Sequence, residues 1–341
     1  MKTTMKPRYP LQLIFSLPVS SLLVLAASSA SFVSLAQTDD AIERIEIESR
    51  QNMFGNALSA SQGIVNQQEI AIRPLLRSGE VLELVPGMVV TQHSGTGKAN
   101  QYFLRGFNLD HGTDFASFID GMPINMRTHG HGQGYTDLNF IIPETIQTLV
   151  YNKGAYYSEV GDFSGAGSAS FNTARAQKQG LAELTLGEYG YQRLLALNSS
   201  ELDAGQLYYA GELTRYDGPW TDISEDLKKY NGLIRYTQNV AQGDFSLSMM
   251  AYDNTWNSAD QIPLRAVTSG LIDELGSLDD TVGGESNRYS INAQWQDKHW
   301  SANAYWINYD LNLWSNFTYF LDNEDTGDQF EQVDKRSIYG L

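Results

Sequence analysis

The sequence predicts an exported protein in which an α+β domain precedes the antiparallel strands of a transmembrane β-barrel, with the barrel incomplete. Three observations support this fold class. The N-terminus carries a long apolar segment, the middle of the chain is glycine-rich with short mixed elements, and the C-terminal part alternates apolar and polar side chains. At 341 residues, the chain is long enough for two domains.

Residues 1–36 are predicted to be a signal peptide. Basic residues precede an uncharged apolar run, and the small residues Ser34 and Ala36 fit a cleavage site before Gln37. The apolar run is also long enough for an N-terminal membrane anchor, which is the alternative. Pro18 and the serine-rich end of the run favour cleavage and export.

The charge balance restricts the classes of partner. The chain has 40 acidic and 23 basic residues, a net charge of −17, and no cysteine. Nucleic-acid binders concentrate Lys and Arg, so a nucleic-acid partner is not expected. The absence of cysteine excludes disulfides, thiolate metal sites and a cysteine nucleophile. A neutral or cationic partner suits this composition.

Residues 37–54 are polar and are predicted to be a flexible N-terminal segment. Residues 55–175 are predicted to form the α+β domain. In it, "LLRSGEVLELVPGMVV" predicts a short helix, a Pro-Gly turn and a strand. "FASFIDGMPIN" predicts two short strands around an Asp-Gly turn, and "IQTLVYNKG" predicts a further strand.

Residues 178–341 alternate in the manner of β-strands, and about eight strand candidates are found there. "NRYSINAQWQ" places its aromatic and aliphatic side chains on one face and its polar side chains on the other. "SANAYWINYDLNLWSNF" changes phase near Trp306 and Ile307, which predicts a β-bulge. A soluble β-sandwich is the alternative, but short turns alternate with long acidic loops, as in a transmembrane barrel.

About eight strands would close only a narrow barrel that its own side chains fill, with no room for a domain of the size of residues 55–175. The last residues, "DKRSIYGL", stop in mid-pattern. The chain is therefore predicted to be the front part of a longer protein, with a truncated product as the alternative.

Residues 55–175 resemble the plug domain of TonB-dependent outer-membrane receptors. The resemblance lies in four motifs that occur in order: the helix with its Val-Pro-Gly turn, Arg-Gly-Phe in "QYFLRGFN", the Asp-Gly-Met-Pro turn in "FIDGMPIN", and "IPETIQTLVYNKGAYYSEVGDFSGAGSASFNT". "GLAELTLGEYGYQR" then resembles the start of the family's barrel, which has about 22 strands.

The resemblance implies energy-coupled import across the outer membrane and no enzymatic activity or required cofactor. The implied partners are TonB, outer-membrane lipid and a scarce solute: a metal ion, a ferric siderophore or other metal chelate, a cobalamin-like cofactor or an oligosaccharide. TonB would pair with an extended segment, the TonB box. The candidate box consists of Ile42, Glu43, Arg44, Ile45, Glu46 and Ile47.

The resemblance also implies a buried plug arginine that pairs with glutamates on the inner wall of the barrel. Arg105 of the Arg-Gly-Phe motif is the candidate, and alternation makes Glu183 and Glu212 the candidate partners. Breaking one side of such a buried pair would cost about 3–5 kcal/mol.

Four of the five histidines lie in the predicted plug and are candidate ligand-binding residues: His93, His111, His129 and His131. Neutral imidazole suits Zn, Cu, Ni or Fe. The His-Gly-His step, His129 and His131, together with Asp110 and Asp114, is the candidate set for direct metal contact, and Asp137 is close in sequence. Polar loop residues that pack against the barrel wall are the alternative interpretation.

Two other functions are compatible with the sequence. One is a surface-binding β-protein that transports nothing, and the other is a secreted zinc-dependent hydrolase that uses His129 and His131. The hydrolase lacks a His-Glu-x-x-His motif, a nucleophile elbow or a nearby acid pair.

Overall fold

The computed structural model describes residues 11–14, 60–92, 95–316, 318, 320–323 and 327–341, with side chains described from residue 60 onwards. Strands dominate. The helices in the described part of the chain are short: α1 (Gln67–Ala71), α2 (Leu264–Thr268) and two 3-10 helices, Ser78–Leu84 and Pro143–Thr145. Among the described residues, no helix is both long enough and apolar enough to cross a membrane.

The N-terminal α+β domain contains two small sheets. A five-stranded sheet has the order β2-β8-β9-β6-β7, in which β6 and β9 are parallel, and a three-stranded sheet has the order β3-β4-β5. Their bounds are β2 Gln62–Asn66, β3 Met88–Thr91, β4 Gln101–Leu104, β5 Phe107–Asn108, β6 Phe115–Ile119, β7 Met122–Pro123, β8 Ile146–Lys153 and β9 Gly167–Thr173.

Local sequence explains these elements. Helix α1 begins at a capping box, in which Asn66 and Glu69 each bind the other's backbone N–H. The predicted helix, Pro-Gly turn and strand are confirmed as the 3-10 helix Ser78–Leu84 followed by β3. The Asp-Gly turn is confirmed between β6 and β7, with positive φ angles of 48° at Asp120 and 76° at Gly121.

The second body is a nine-stranded antiparallel sheet with the order β1-β10-β11-β12-β13-β14-β15-β16-β17. Strand β1 lies within the predicted signal peptide and pairs with β10. From β10 onwards, every strand pairs with the next along the chain. The bounds are β1 Leu11–Ile14, β10 Leu181–Leu186, β11 Gln192–Leu202, β12 Gly205–Tyr216, β13 Leu227–Val240, β14 Gly243–Asn257, β15 Gly283–Gln296, β16 Ser301–Asn316 and β17 Gln329–Gly340.

The connections of this sheet confirm the predicted alternation. Strands β11 and β12, β13 and β14, and β15 and β16 are joined by short turns, whereas residues 217–226, 258–282 and 317–328 form long connections. The short turns lie at one end of the strands and the long connections at the other. We call these the short-turn end and the long-loop end of the sheet.

The outward face of the sheet is more apolar than the surface of a typical soluble protein. On β14, the outward side chain of Met249 is 47% exposed, whereas the inward Ser248 is 2% exposed. On β15, Ile291 points outward and is exposed, while Ser290 points inward and is buried. Polar side chains are thus buried toward the α+β domain together with apolar ones such as Leu195. The outward face exposes large apolar side chains, as in a sheet whose outer face contacts lipid.

The predicted bulge in β16 is wrong. Strands β15 and β16 pair without a shift over their whole length, from Gln296 opposite Ser301 to Gly283 opposite Trp314. The apparent change of phase arises because the inner face itself becomes apolar. Tyr309, Leu311 and Leu313 point inward and pack in one buried cluster with residues of the α+β domain, Ala99, Met126 and Tyr135.

Candidate functional site

Three histidines of the α+β domain meet at the long-loop end of the sheet. The rings of His111 and His131 lie 4.5 Å apart, centroid to centroid, at an angle of 71°. His129 stacks on Tyr135 with a centroid distance of 4.0 Å and an interplanar angle of 4°. We call His111, His129, His131 and Tyr135 the histidine cluster. His93 lies outside the described residues.

A closed loop positions this cluster. Met126 and Tyr135 form an isolated antiparallel bridge, and the N–H of Gly134 donates to the carbonyl of Met126 at 2.7 Å. Gly132 and Gly134 have φ angles of 151° and 73°, which lie in the region that favours glycine. The glycines of "HGHGQG" therefore allow the chain to fold back within a few residues.

His129 is held as a neutral imidazole. Its Nδ1 accepts a hydrogen bond from the backbone N–H of His131 at 3.0 Å, and its side chain is fully buried. Burial lowers the pKa of His129 from 6.5 to about 4, against the opposing effect of the Asp334 carboxylate. The Nε2 atom has no hydrogen-bond partner and lies 4.0 Å from Asp334 Oδ2.

The other two histidines make hydrogen bonds through Nδ1. His131 Nδ1 donates to Gln332 Oε1 of β17 at 2.8 Å. His111 Nδ1 donates to the carbonyl of Ala99 at 2.9 Å, and its Nε2 lies 3.7 Å from Asp110 Oδ1. The cluster thus joins the α+β domain to strand β17.

The candidate metal ligands are only partly brought together. His129 and His131 are neighbours, but Asp114 lies beside Gly165 and Asp110 is 59% exposed. Among the residues with described side chains, no group of three or more His, Asp or Glu side chains is arranged to hold a metal ion. Direct metal contact therefore stays a prediction that would require the loop to rearrange.

Charged contacts also join the two bodies. Arg193 of β11 donates to both carboxylate oxygens of Glu144, at 2.7 and 2.8 Å, and its Nε donates to Glu212 Oε2 at 2.7 Å. Lys229 binds Glu212 Oε1 at 2.8 Å and reaches Ser78 Oγ at 3.3 Å. Glu212 is 1% exposed and is satisfied by these two cations.

A second charged contact is centred on the Asp-Gly turn. The carboxylate of Asp120 accepts from the N–H and the hydroxyl of Thr173 and forms an ion pair with Arg235 of β13. The Asp120 carbonyl accepts from Asn292 at 2.7 Å and from Gln294 at 2.6 Å. This turn is therefore bound by three side chains of the sheet.

The pairing predicted for Arg105 is wrong. Arg105 sits in the tight turn between β4 and β5 with a φ angle of 53°, and it is exposed instead of buried. Glu212 does face the α+β domain, but its cations come from the sheet itself. Glu183 accepts a hydrogen bond from Thr185 on its own strand.

Five residues of these charged contacts were not predicted from the sequence: Glu144, Asp120, Arg193, Lys229 and Arg235. Alternation held the signal for the three cations, because each stands at an inward position, where its neighbours on the same face, such as Leu195 and Leu233, are buried. A buried basic residue at such a position requires an acidic partner, which lies on the α+β domain for Arg193 and Arg235 and on the sheet for Lys229.

Residues 56–168 match a family model described as "TonB-dependent Receptor Plug Domain". The α+β domain therefore matches the plug domain of these receptors over these residues, and we call it the plug. The predicted fold class, a plug followed by the antiparallel sheet of an incomplete barrel, is confirmed.

Solved structures share this architecture at low sequence identity. The copper transporter OprC is 17% identical with a TM-score of 0.58, and the match covers 75% of this chain and 38% of OprC. The ferric citrate transporter FecA is 12% identical with a TM-score of 0.61, covering 75% of this chain and 41% of FecA.

The ferric-catecholate import receptor Fiu from E. coli K12 is 13% identical with a TM-score of 0.62, covering 82% of this chain and 44% of Fiu. The chain thus spans less than half the length of each of these three structures. The matched proteins are described as transporters and receptors, not as enzymes.

Proposed function

We propose that the chain acts in an outer-membrane receptor that imports a scarce metal ion, ferric siderophore or other metal chelate with energy supplied through TonB. The observation that carries this proposal is the polarity of the sheet. Its outward face exposes Leu213, Ile234, Met249 and Ile291, which water would solvate poorly and lipid would accept.

The metal or metal-chelate class rests on two supports. The matched structures are described as handling copper, ferric citrate and ferric catecholate. The histidine cluster lies at the long-loop end, where its imidazoles are positioned by the plug and by β17. Imidazole is a ligand for copper and iron, so the cluster is the proposed contact for the arriving solute.

Membrane insertion is tested with Ile291→Arg, which places a charge on the outward face of β15. Arginine at a lipid-facing barrel position costs about 2–4 kcal/mol near the membrane centre. The variant is expected to be depleted from the outer-membrane fraction. The control is Leu271→Arg, because Leu271 is 71% exposed but lies in a long loop. Equal depletion of both variants would contradict the membrane assignment.

Transport is tested by uptake of labelled copper, ferric citrate and a ferric catecholate in cells with and without TonB. One solute is expected to enter only when TonB is present. Ile45→Pro in the candidate TonB box should abolish that uptake, because proline cannot pair as an interior strand residue. Asn52→Pro, outside the box, is the matched control. TonB-independent uptake of all three solutes would contradict the proposal.

The histidine contact has its own test. His131→Ala is expected to raise the concentration of solute needed for half-maximal uptake, whereas His299→Ala, in the turn between β15 and β16, is expected to leave it unchanged. A hydrolysis screen with added zinc on the purified chain is expected to show no turnover. Zinc-dependent turnover that requires His129 and His131 would favour the hydrolase instead.

A further inference from the structure

A short plug segment connects the long loops of the sheet to the histidine cluster. It consists of residues 95–99, "GTGKA", and we call it the plug strap. Thr96 Oγ1 donates to Glu225 Oε2 at 3.0 Å, and Glu225 belongs to the long connection 217–226. Glu225 is 1% exposed, so this contact lies away from water.

The strap packs directly on the end of β14. A Cβ atom added at Gly97 would lie 2.0 Å from Trp256 Cε3, and one added at Gly95 would lie 2.7 Å from Trp256 Nε1. Only glycine permits this approach of backbone to indole. Movement of Trp256 or of the adjoining loop would therefore displace the strap.

Lys98 gives the strap a link to a second loop. Its side chain is 2% exposed, and burial lowers its pKa to about 8, while the negative charges of Asp260 and Asp110 act in the opposite direction. Asp260 belongs to the long connection 258–282. The strap also packs on the start of that loop, since a Cβ atom added at Gly95 would lie 3.0 Å from Ser258 Oγ, and it is joined by a hydrogen bond to the connection 217–226.

The long connections are themselves bound to one another. Thr221 N–H donates to the carbonyl of Leu275 at 3.0 Å, and Ser277 N–H donates to Asp222 Oδ2 at 3.0 Å. Thr281 Oγ1, in the second loop, accepts from the side chain of Gln329 at the start of β17 at 2.6 Å. A displacement of the connection 217–226 therefore strains the hydrogen bonds that hold the connection 258–282.

The other end of the strap reaches the histidine cluster. Ala99 N–H donates to the hydroxyl of Tyr135 at 2.9 Å, and the Ala99 carbonyl accepts from His111 Nδ1 at 2.9 Å. Both backbone groups of one residue are thus committed to the cluster. Both of these hydrogen bonds are buried, so no water can substitute for them without opening the interface.

We propose that the long loops, the plug strap and the histidine cluster form one conformational unit, in which displacement of the loops 217–226 and 258–282 is transmitted through residues 95–99 to the cluster. The coupling is a property of the plug and the sheet, and it does not depend on which solute is carried. Because coupling between sites is reciprocal, loosening either end must loosen the other.

The test is amide hydrogen exchange on the full chain in detergent micelles. Thr96→Val removes the hydroxyl with little change of shape. It is expected to accelerate exchange about tenfold at the Glu225 amide, which is bonded to the Asp217 carbonyl, and at the Ala99 amide. Glu225→Leu is expected to accelerate exchange at the Ala99 amide by a similar factor, although Ala99 does not touch residue 225.

The decisive comparison is the double variant. If one unit exists, Thr96→Val combined with Glu225→Leu accelerates exchange no more than either change alone. Acceleration confined to the mutated segment, or a double variant whose acceleration is the product of the two single effects, would overturn the proposal.

Three further variants serve as controls. Thr96→Ser retains the hydroxyl, so its Glu225 and Ala99 amides are expected to exchange at the rates of the unaltered chain. Thr148→Val also removes a hydroxyl that accepts a plug hydrogen bond, from Asn172 at 3.1 Å, and it should leave the amides of Glu225 and Ala99 unaffected. Glu225→Gln retains the side-chain volume and one acceptor. It is therefore expected to accelerate exchange at the Ala99 amide by only about twofold, and it keeps the test available if Glu225→Leu fails to fold.

Discussion

The plug meets the sheet in two kinds of contact that differ in how they could be broken. The first kind is ionic. Asp120 pairs with Arg235 and Glu144 pairs with Arg193, and each pair joins the plug to the sheet through buried or half-buried charges. The second kind is the histidine cluster, which touches β17 through one neutral hydrogen bond, from His131 to Gln332, and through packing.

The difference decides which contact can give way. Separating a buried ion pair leaves a charge without a partner, at a cost of about 3–5 kcal/mol. Separating a neutral hydrogen bond costs about 0.5–1.5 kcal/mol. The ionic contacts therefore fix the plug in the sheet. The closed loop 126–135, which we call the histidine loop, is the part of the interface that a solute could rearrange.

The largest loss of unfolding free energy is expected from Arg235→Leu. It leaves the Asp120 carboxylate, 4% exposed, without its cation, so the free energy of unfolding should fall by about 3–5 kcal/mol. The measurement is denaturant unfolding of the full chain in detergent micelles, followed by tryptophan fluorescence, in which Trp256 reports on the plug because it packs against Gly95 and Gly97.

Two companion variants sharpen this result. Arg215→Leu removes an exposed arginine of the same sheet and should change stability by less than about 0.5 kcal/mol. Adding Asp120→Asn to Arg235→Leu removes the stranded charge and should restore part of the loss. A fall of equal size for Arg215 and Arg235 would show that the pairing does not hold the plug.

Glu212→Gln is expected to have the next largest effect. The amide cannot accept charge-assisted hydrogen bonds from both Arg193 and Lys229, so the unfolding free energy should fall by about 2–3 kcal/mol. Glu201→Gln, exposed near the end of β11, is the matched control in the same unfolding assay. No difference between the two variants would contradict the Glu212 network.

The His129 imidazole should make stability depend on pH. Its pKa is about 4 in the folded chain and about 6.5 when unfolded, so the unfolded state binds a proton first as pH falls. Its contribution is complete above pH 6.5 and is lost between pH 6.5 and pH 4. At pH 5 the expected loss is about 2 kcal/mol.

The measurement compares unfolding free energies at pH 7.5 and pH 5 for the unaltered chain and for His129→Gln. Carboxylates titrate in both proteins, so the difference between the two pH dependences isolates the histidine. An identical pH dependence in the two proteins would show that His129 is not buried as a neutral group.

Much of this fold could be predicted because its signals are local. Strand alternation, the Asp-Gly turn at Asp120 and Gly121, and the Pro-Gly turn before β3 each depend on neighbouring residues. The false bulge near Trp306 shows the limit of that reasoning. The inner face of β16 becomes apolar because Tyr135 and Met126 of the plug pack there, which no local pattern reveals.

The site was less predictable because it is made of long-range contacts. The clustering of His111 with the His-Gly-His step followed from their closeness in the sequence and from the glycines between them. Their partners on β17, Gln332 and Asp334, lie about two hundred residues from the histidines in the sequence. Many inward positions of the sheet could have faced the histidines, and no local pattern distinguishes these two. Arg105 was misassigned because its turn exposes the side chain, a property of backbone conformation.

The smallest loss of unfolding free energy is expected at the hydrogen bond between His131 and Gln332. Gln332→Ala and His131→Ala should each lower the unfolding free energy by about 1 kcal/mol, and the double variant should lose less than the sum because both remove the same hydrogen bond. The reference cycle pairs His131→Ala with Gln329→Ala, which lies on the same strand but bonds to Thr281. If the His131–Gln332 coupling matched the stability lost in Arg235→Leu, the two kinds of contact would not differ in strength. The histidine loop would then be as firmly fixed as the Asp120 turn, and it could not be the part of the interface that yields first.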